Sequence, residues 1–285
     1  LRPGERGDFL SQGVAWPYMA DEPCPVWKKF LSDIMLGNQE HIDFLQRAIG
    51  YSLTGFTKEQ VFFVLHGAGS NGKSVLLNIL RKLLESFSRT VRFAAFDQNN
   101  TSDAVKDLAE LDGVRAVFVS ESPESSALNV QTIKSITGGE ELTVSRKYGH
   151  PFSFVPQYKL WMATNHLPTV ADDSEGFWRR IIVIPFLAQF EGKNRDLNMQ
   201  SKLEDELIGI MAWAIEGARM WTQKGLSTPD DLLLKILAYR QEQDDVGLFI
   251  DECCLQTEGS SIQAGMIYNY YTEWATELGR KPITA

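Results

Sequence analysis

The residues with the clearest chemistry are the eight of GAGSNGKS, Gly67, Ala68, Gly69, Ser70, Asn71, Gly72, Lys73 and Ser74, followed by Val75. They fit G-x-x-x-x-G-K-[ST] and lie between the apolar runs VFFVLH and VLLNILRKLL. Glycines at 67 and 72 permit backbone conformations that a Cβ forbids. Successive N–H groups can then turn inward onto phosphate oxygens. The helix that follows offers its N-terminus to the same anion. Lys73 can reach the outer phosphates and Ser74 can ligate Mg²⁺. A glycine-rich strand-to-helix turn without a ligand is the plain alternative. The apolar strand before the motif and the helix after it favour nucleotide binding.

A phosphate loop needs an acid at the end of a neighbouring strand to hold the metal or polarise an attacking water. AVFVSE supplies Glu121 there, some fifty residues on, and no earlier strand ends in an acid. ATNHLP ends a later strand with Asn165, whose amide can position water or sense the terminal phosphate. Taken alone, it is equally a turn residue ahead of Pro168. WRRIIVIPF places Arg179 and Arg180 before another strand. Either could reach a neighbouring subunit's nucleotide as an arginine finger, or pair with the acids of DDSE (172–175) on the surface.

The elements that must hold these residues are legible as patterns. Residues 61–66, 115–122, 158–165 and 180–186 are short apolar runs, expected as buried parallel strands. Residues 141–155 alternate around a glycine-containing break and predict a β-hairpin, with Arg146, Lys147, Tyr148 and His150 about its tip. Helical spacing runs through 26–53, 73–85, 197–221, 230–244 and 263–278, and Gly225 and Pro229 break the fourth from the third. Residues 1–22 read as a loosely held lead-in. Tyr268, Tyr271 and Trp274 recur at helical spacing and are expected to form a core face. The division expected is 1–55, a lead-in and helical region; 56–192, the nucleotide-binding core; and 193–285, a helical region.

Composition narrows the function. The chain has 285 residues, 44% of them hydrophobic, and a net charge of −9. Contact with nucleic acid must therefore use a local basic patch. Residues 204–258 carry twelve acids against four bases and cannot face DNA. The three cysteines, Cys24, Cys253 and Cys254, and the four histidines have no metal-ligand or disulfide spacing. A reducing, cytoplasmic setting is the simplest expectation, with no membrane span or signal peptide. The chain begins without Met and stops just past a helical pattern, so a longer parent polypeptide is expected.

In this order, GAGSNGKS, VFVSES, IKSITGGEELTVSRKY, KLWMATNHLP and WRRIIVIPF resemble the superfamily 3 helicases, more narrowly the phage, plasmid and poxvirus primase-helicases. The resemblance spans roughly residues 25–280. It implies an AAA+ α/β core with an inserted hairpin, ATP and Mg²⁺ as ligands, and a homo-oligomeric ring, usually a hexamer, that translocates on single-stranded or forked DNA during replication. It makes Lys73 and Ser74 the phosphate-loop pair, Glu121 the metal and water acid, Asn165 the sensor, and Arg180 the finger ahead of Arg179. The hairpin then projects into the ring channel, where Lys147 would meet phosphate and Tyr148 or His150 add sequence-tolerant contact. The last helix resembles the start of a winged-helix unit. The alternatives are a non-translocating AAA+ scaffold and a small-molecule phosphotransferase. The second would need an arginine-rich lid that the sequence lacks.

Overall fold

A computed structural model describes residues 5, 7, 12–99, 106–120, 123, 126–146, 149–255, 257–280 and 282. Five strands, β1 (Phe62–His66), β2 (Ser88–Thr90), β3 (Ala116–Ser120), β6 (Lys159–Thr164) and β7 (Ile181–Pro185), form one sheet in the order β2-β3-β6-β1-β7. Every neighbouring pair is parallel. The interior strands are continuous apolar runs because helices cover both faces of such a sheet. All six residues of β6 are buried, and Phe63 stacks on Trp161 with ring centroids 4.2 Å apart. The mostly parallel α/β fold expected from the sequence is the fold observed. The insert β4 (Leu142–Ser145) and β5 (Pro151–Phe154) is an antiparallel hairpin of its own.

Two helices precede the sheet, α1 (Pro25–Ile34) and α2 (Gln39–Leu53), and α3 (Lys73–Leu84) follows β1. Further along come α4 (Val130–Gly138), α5 (Glu175–Trp178), α6 (Met199–Glu204), α7 (Leu207–Lys224), α8 (Asp230–Gln243), α9 (Asp245–Cys253) and α10 (Ala264–Glu277). The single helix expected over 197–221 is two, broken at Asp205 and Glu206. Glu206 has a reason to leave the helix: its carboxylate accepts from the backbone N–H of Val26 (3.0 Å) and Trp27 (2.8 Å). It thereby satisfies the open N-terminus of α1 across the fold. The expected inward face holds, since Leu203, Leu207, Ile210, Met211 and Ala214 are all buried.

Within the lead-in, residues 13–16 are held more firmly than its composition suggests. Ala15 donates to Glu85 at 2.8 Å, Trp16 Nε1 to the Lys82 carbonyl at 3.3 Å, and Ser86 to the Gly13 carbonyl at 3.1 Å. Helices α2 and α7 cross at two glycines. A Cβ on Gly50 would lie 2.0 Å from the Ala218 nitrogen, and one on Gly217 2.0 Å from the Gln46 oxygen.

The chain divides into two compact units, residues 1–233 and 234–285, with the break inside α8. In the second unit Phe249 of α9 meets Tyr271 and Trp274 of α10 at 5.6 and 5.7 Å. Those aromatics are thus a core face of a small helical unit. Among the described residues, no helix is long and apolar enough to cross a membrane.

Candidate functional site

The loop Gly67–Gly72 leaves β1 at the carboxyl edge of the sheet and enters α3, whose first residues are Lys73 and Ser74. Open parallel sheets bind ligands outside this edge. Gly72 takes a left-handed φ of 89° and Gly69 one of 106°, as the turning of N–H groups requires. Gly67 is needed for a different reason. A Cβ there would lie 2.3 Å from the Phe186 carbonyl oxygen, so space rather than φ excludes a side chain. Asn71 is buried and donates to the same carbonyl at 3.1 Å, pinning the loop to the end of β7.

Lys73 is 5% exposed. Its ammonium donates to the Gly67 carbonyl (2.6 Å), the Asn71 side chain (3.1 Å) and the Asn165 side chain (3.1 Å). Burial pulls its pKa below the usual lysine value. Asn165 follows β6, which pairs with β1 so that His66 stands opposite Thr164. The parallel register is what carries a residue 92 positions away to the lysine. Strand β3 ends at Ser120, opposite Ala163 of β6; Glu121 lies outside the described residues.

A cleft of about 700 Å³ opens over this edge. Its wall includes Gly69–Val75 and Ala163–His166, as the motif reading expects. It also includes Phe30 and Asp33 of α1 and the segment Asn194–Leu197 with Met199 and Gln200. Motif reading missed these because they come from elements far apart in sequence. Nothing in their local pattern marks them; only the packing of α1 and α6 against α3 does. The cradle suits a magnesium nucleotide: inward-turned backbone, a central ammonium, and the exposed Ser74 at the helix start. No group of three or more acidic, histidine or cysteine residues able to hold a metal occurs among the described residues. Of the residues expected to hold Mg²⁺, Ser74 stands at the cleft and Glu121 lies outside the described residues.

Arg179 and Arg180 stand at the other end of the strands. Phe62 at the start of β1 donates to the Arg180 carbonyl at 2.8 Å. The phosphate loop begins only after β1 has run its five residues, about 16 Å at strand rise. Arg180 donates through Nε to Thr137 at 3.1 Å and through Nη1 to the Gly176 carbonyl. Burial is the main cause that lowers its pKa, followed by its neighbour Arg179. Arg179 is exposed and donates to Gln60 at 2.8 Å.

The hairpin springs from this same amino edge. Thr137 lies in the last turn of α4, and Gln60 reaches the Gly138 carbonyl at 3.5 Å just before β4. At the tip, Gly149 donates to the Arg146 carbonyl at 2.9 Å, and Arg146 and His150 are exposed. The Arg146 guanidinium sits 5.2 Å above the Phe152 ring. Lys147 and Tyr148 lie outside the described residues.

Fold and cleft together define a parallel α/β protein with a phosphate-loop motif at the carboxyl edge of its sheet. Residues 65–180 match a protein family of unknown function, DUF5906. Three viral proteins, each carrying the name "Putative helicase", are similar in sequence. The one from Acanthamoeba polyphaga mimivirus is 30% identical over 299 residues, covering 96% of this chain and 31% of its own length. Those of Frog virus 3 and Invertebrate iridescent virus 3 are 24% and 22% identical, covering 82% and 90% of this chain and 26% and 31% of theirs. The chain thus spans under a third of the length of these relatives. Two structures of the NrS-1 C-terminal region share the fold. One has a TM-score of 0.58 at 16% identity, over 84% of this chain and 59% of that one. The other, an A-form apo structure, gives 0.57 at 14%, over 81% and 54%.

Proposed function

We propose that this chain is the ATP-hydrolysing motor segment of a replicative DNA helicase of the superfamily 3, AAA+ type. In this reading it assembles as a homo-oligomeric ring, a hexamer in the simplest form, and moves along single-stranded DNA. The observation that carries the reading is the meeting of Lys73 and Asn165 inside a cleft built on the GAGSNGKS loop. The names of the viral relatives support it from an independent side.

In this mechanism the loop N–H groups and Lys73 hold the outer phosphates, exchanging the ammonium's present oxygen partners for those of the ligand. Ser74 and Glu121 would hold Mg²⁺, which would supply charge neutralisation at the phosphates. Glu121 draws a proton from the attacking water, and Asn165 orients that water or reads the terminal phosphate. Arg180 approaches the site of a neighbouring copy, because its own lies at the far edge of the sheet. Arg146, Lys147, Tyr148 and His150 contact the DNA backbone at the hairpin tip.

The test is steady-state ATP hydrolysis with and without single-stranded DNA, beside particle images taken with both ligands. Hydrolysis that DNA stimulates, lost in Lys73→Ala, together with ring-shaped particles, is expected. Glu121→Gln should bind ATP yet turn it over very slowly. Hydrolysis indifferent to DNA would turn the reading toward a non-translocating scaffold. An inactive parent that binds no ATP would remove it.

A further inference from the structure

The cleft holds a second cation that the motif reading did not assign. Arg195 lines it together with Lys73. It sits on the segment after β7, in a turn where its own N–H donates to the Gly192 carbonyl at 3.3 Å. That segment is fixed at both ends. Before it, Phe190 donates to the carbonyl of Ser70 in the phosphate loop at 2.8 Å. Behind it, Asn198 donates to Asp196 at 2.9 Å, and Glu204 of α6 is paired with Lys82 of α3. The segment is thus tied to the phosphate loop at its start and, through α6, to α3 behind it.

The charges around Arg195 are arranged so that it stays available. Two acids line the cleft, Asp33 and Asp196. Asp33 is held by Lys29 at 2.8 Å, and Asp196 by Lys202 at 2.6 Å. Arg195 is exposed, and among the described residues its guanidinium meets neither acid. Lys73, by contrast, already satisfies three oxygens. The surplus positive charge facing the cleft thus rests on one buried ammonium and one free guanidinium. A planar guanidinium is the better fit to a phosphate's paired oxygens.

Building on the nucleotide-site reading above, we propose that Arg195 is a phosphate-binding residue of this cleft. It holds the outer phosphates of a nucleoside triphosphate beside the loop and so separates triphosphate from monophosphate. It is supplied by the same chain that supplies Lys73, unlike the arginine expected from a neighbour.

The test measures equilibrium binding of ATP, ADP and AMP, each with Mg²⁺, to the parent, Arg195→Ala and Arg195→Lys by calorimetry. Loss of one charge-assisted contact should weaken ATP binding about 10- to 100-fold in Arg195→Ala. AMP binding should stay within about twofold, and Arg195→Lys should recover part of the loss. Unchanged thermal unfolding would show that the exposed turn tolerates the change. A parent that binds ATP beside an Arg195→Ala variant with the same ATP affinity overturns this inference and leaves the nucleotide site standing. An equal loss for AMP overturns the outer-phosphate role. A parent that binds no nucleotide overturns both readings.

Discussion

The ammonium of Lys73 lies 3.1 Å from the amide oxygen of Asn165, joining the loops that follow two adjacent parallel strands. The amide is an acceptor with no charge, so it can orient the lysine and still release it to a phosphate. Asn165→Ala should lower kcat by about 10²-fold, the usual cost of removing one aligned polar group, with KM little changed. Asn165→Asp should act differently, because a carboxylate would retain the ammonium as an ion pair. Its ATP affinity should fall as well. Equal KM values for the two variants would sever this link between lysine and ligand.

Arg180 and the phosphate loop of the same chain occupy opposite ends of β1. The five residues of β1, about 16 Å at strand rise, separate Arg180 from the loop of its own chain. Arg180→Ala should be inactive, and mixing it with the inactive Lys73→Ala should restore part of the activity. A mixed interface can pair an intact loop with an intact arginine. Mixtures that assemble yet stay inactive at every ratio would leave the trans role unsupported and favour Arg179 or a finger acting in cis.

The hairpin is rooted at the amino edge, away from the nucleotide cleft. The double variant Lys147→Ala with His150→Ala should lose strand separation on a forked substrate while basal ATP hydrolysis persists. At physiological salt a tip charge is screened from the nucleotide over a Debye length of about 8 Å. DNA binding by the variant should also fall less steeply with added salt, because fewer counterions are released. Unwinding at the parental rate would return these residues to a solvated surface.

Gly217→Ala tests the crossing of α2 and α7. Alanine ordinarily favours a helix over glycine by roughly 1 kcal/mol. Here its Cβ would lie 2.0 Å from the backbone oxygen of Gln46, so the helices must part. A net destabilisation of about 1–3 kcal/mol is expected, read as a lower urea midpoint. A raised midpoint would show that the crossing can widen freely.

Lys159 gives a pH prediction with a definite sign. Its ammonium is buried beneath the carbonyls of Thr54, Phe56 and Gln157, and burial holds its pKa well below the usual value. Between that lowered value and about 10.4, the unfolded chain binds a proton that the folded chain does not. Stability should therefore rise with pH across this window by a contribution that Lys159→Met lacks. Parallel urea midpoints for the two proteins from pH 7 to 10 would contradict it.

The strands were legible because a parallel strand covered on both faces is apolar along nearly its whole length, as VFFVLH is inside the sheet and IIVIP is at its edge. The phosphate loop was legible because its glycines and lysine are contiguous. The edge strand β2 was not. Its Ser-Arg-Thr sequence pairs through the backbone on one side only, leaving two of its residues exposed. Helix α9 was hidden for a similar reason: its one buried residue, Phe249, packs on aromatics more than twenty positions later. Arg195 and Phe30 were illegible as site residues, because the cleft gathers them through contacts between helices that no local pattern encodes.

The two edges of the sheet carry different chemistry, a phosphate cradle at one end and a pair of arginines at the other. An association that brings a neighbour's arginine to this cradle joins unlike surfaces. A two-fold dimer achieves it only reciprocally, through one patch that contains both ends of the strands, whereas a head-to-tail contact needs just one end from each copy. Head-to-tail contacts leave one cradle and one arginine pair unmatched at the ends of any open row. Only a rotation that divides the full circle evenly brings those ends together, and a rotation that misses runs on into a filament. Closure of the assembly, and with it the number of complete cradles, is thus a matter of symmetry set by the angle between two faces of one small sheet.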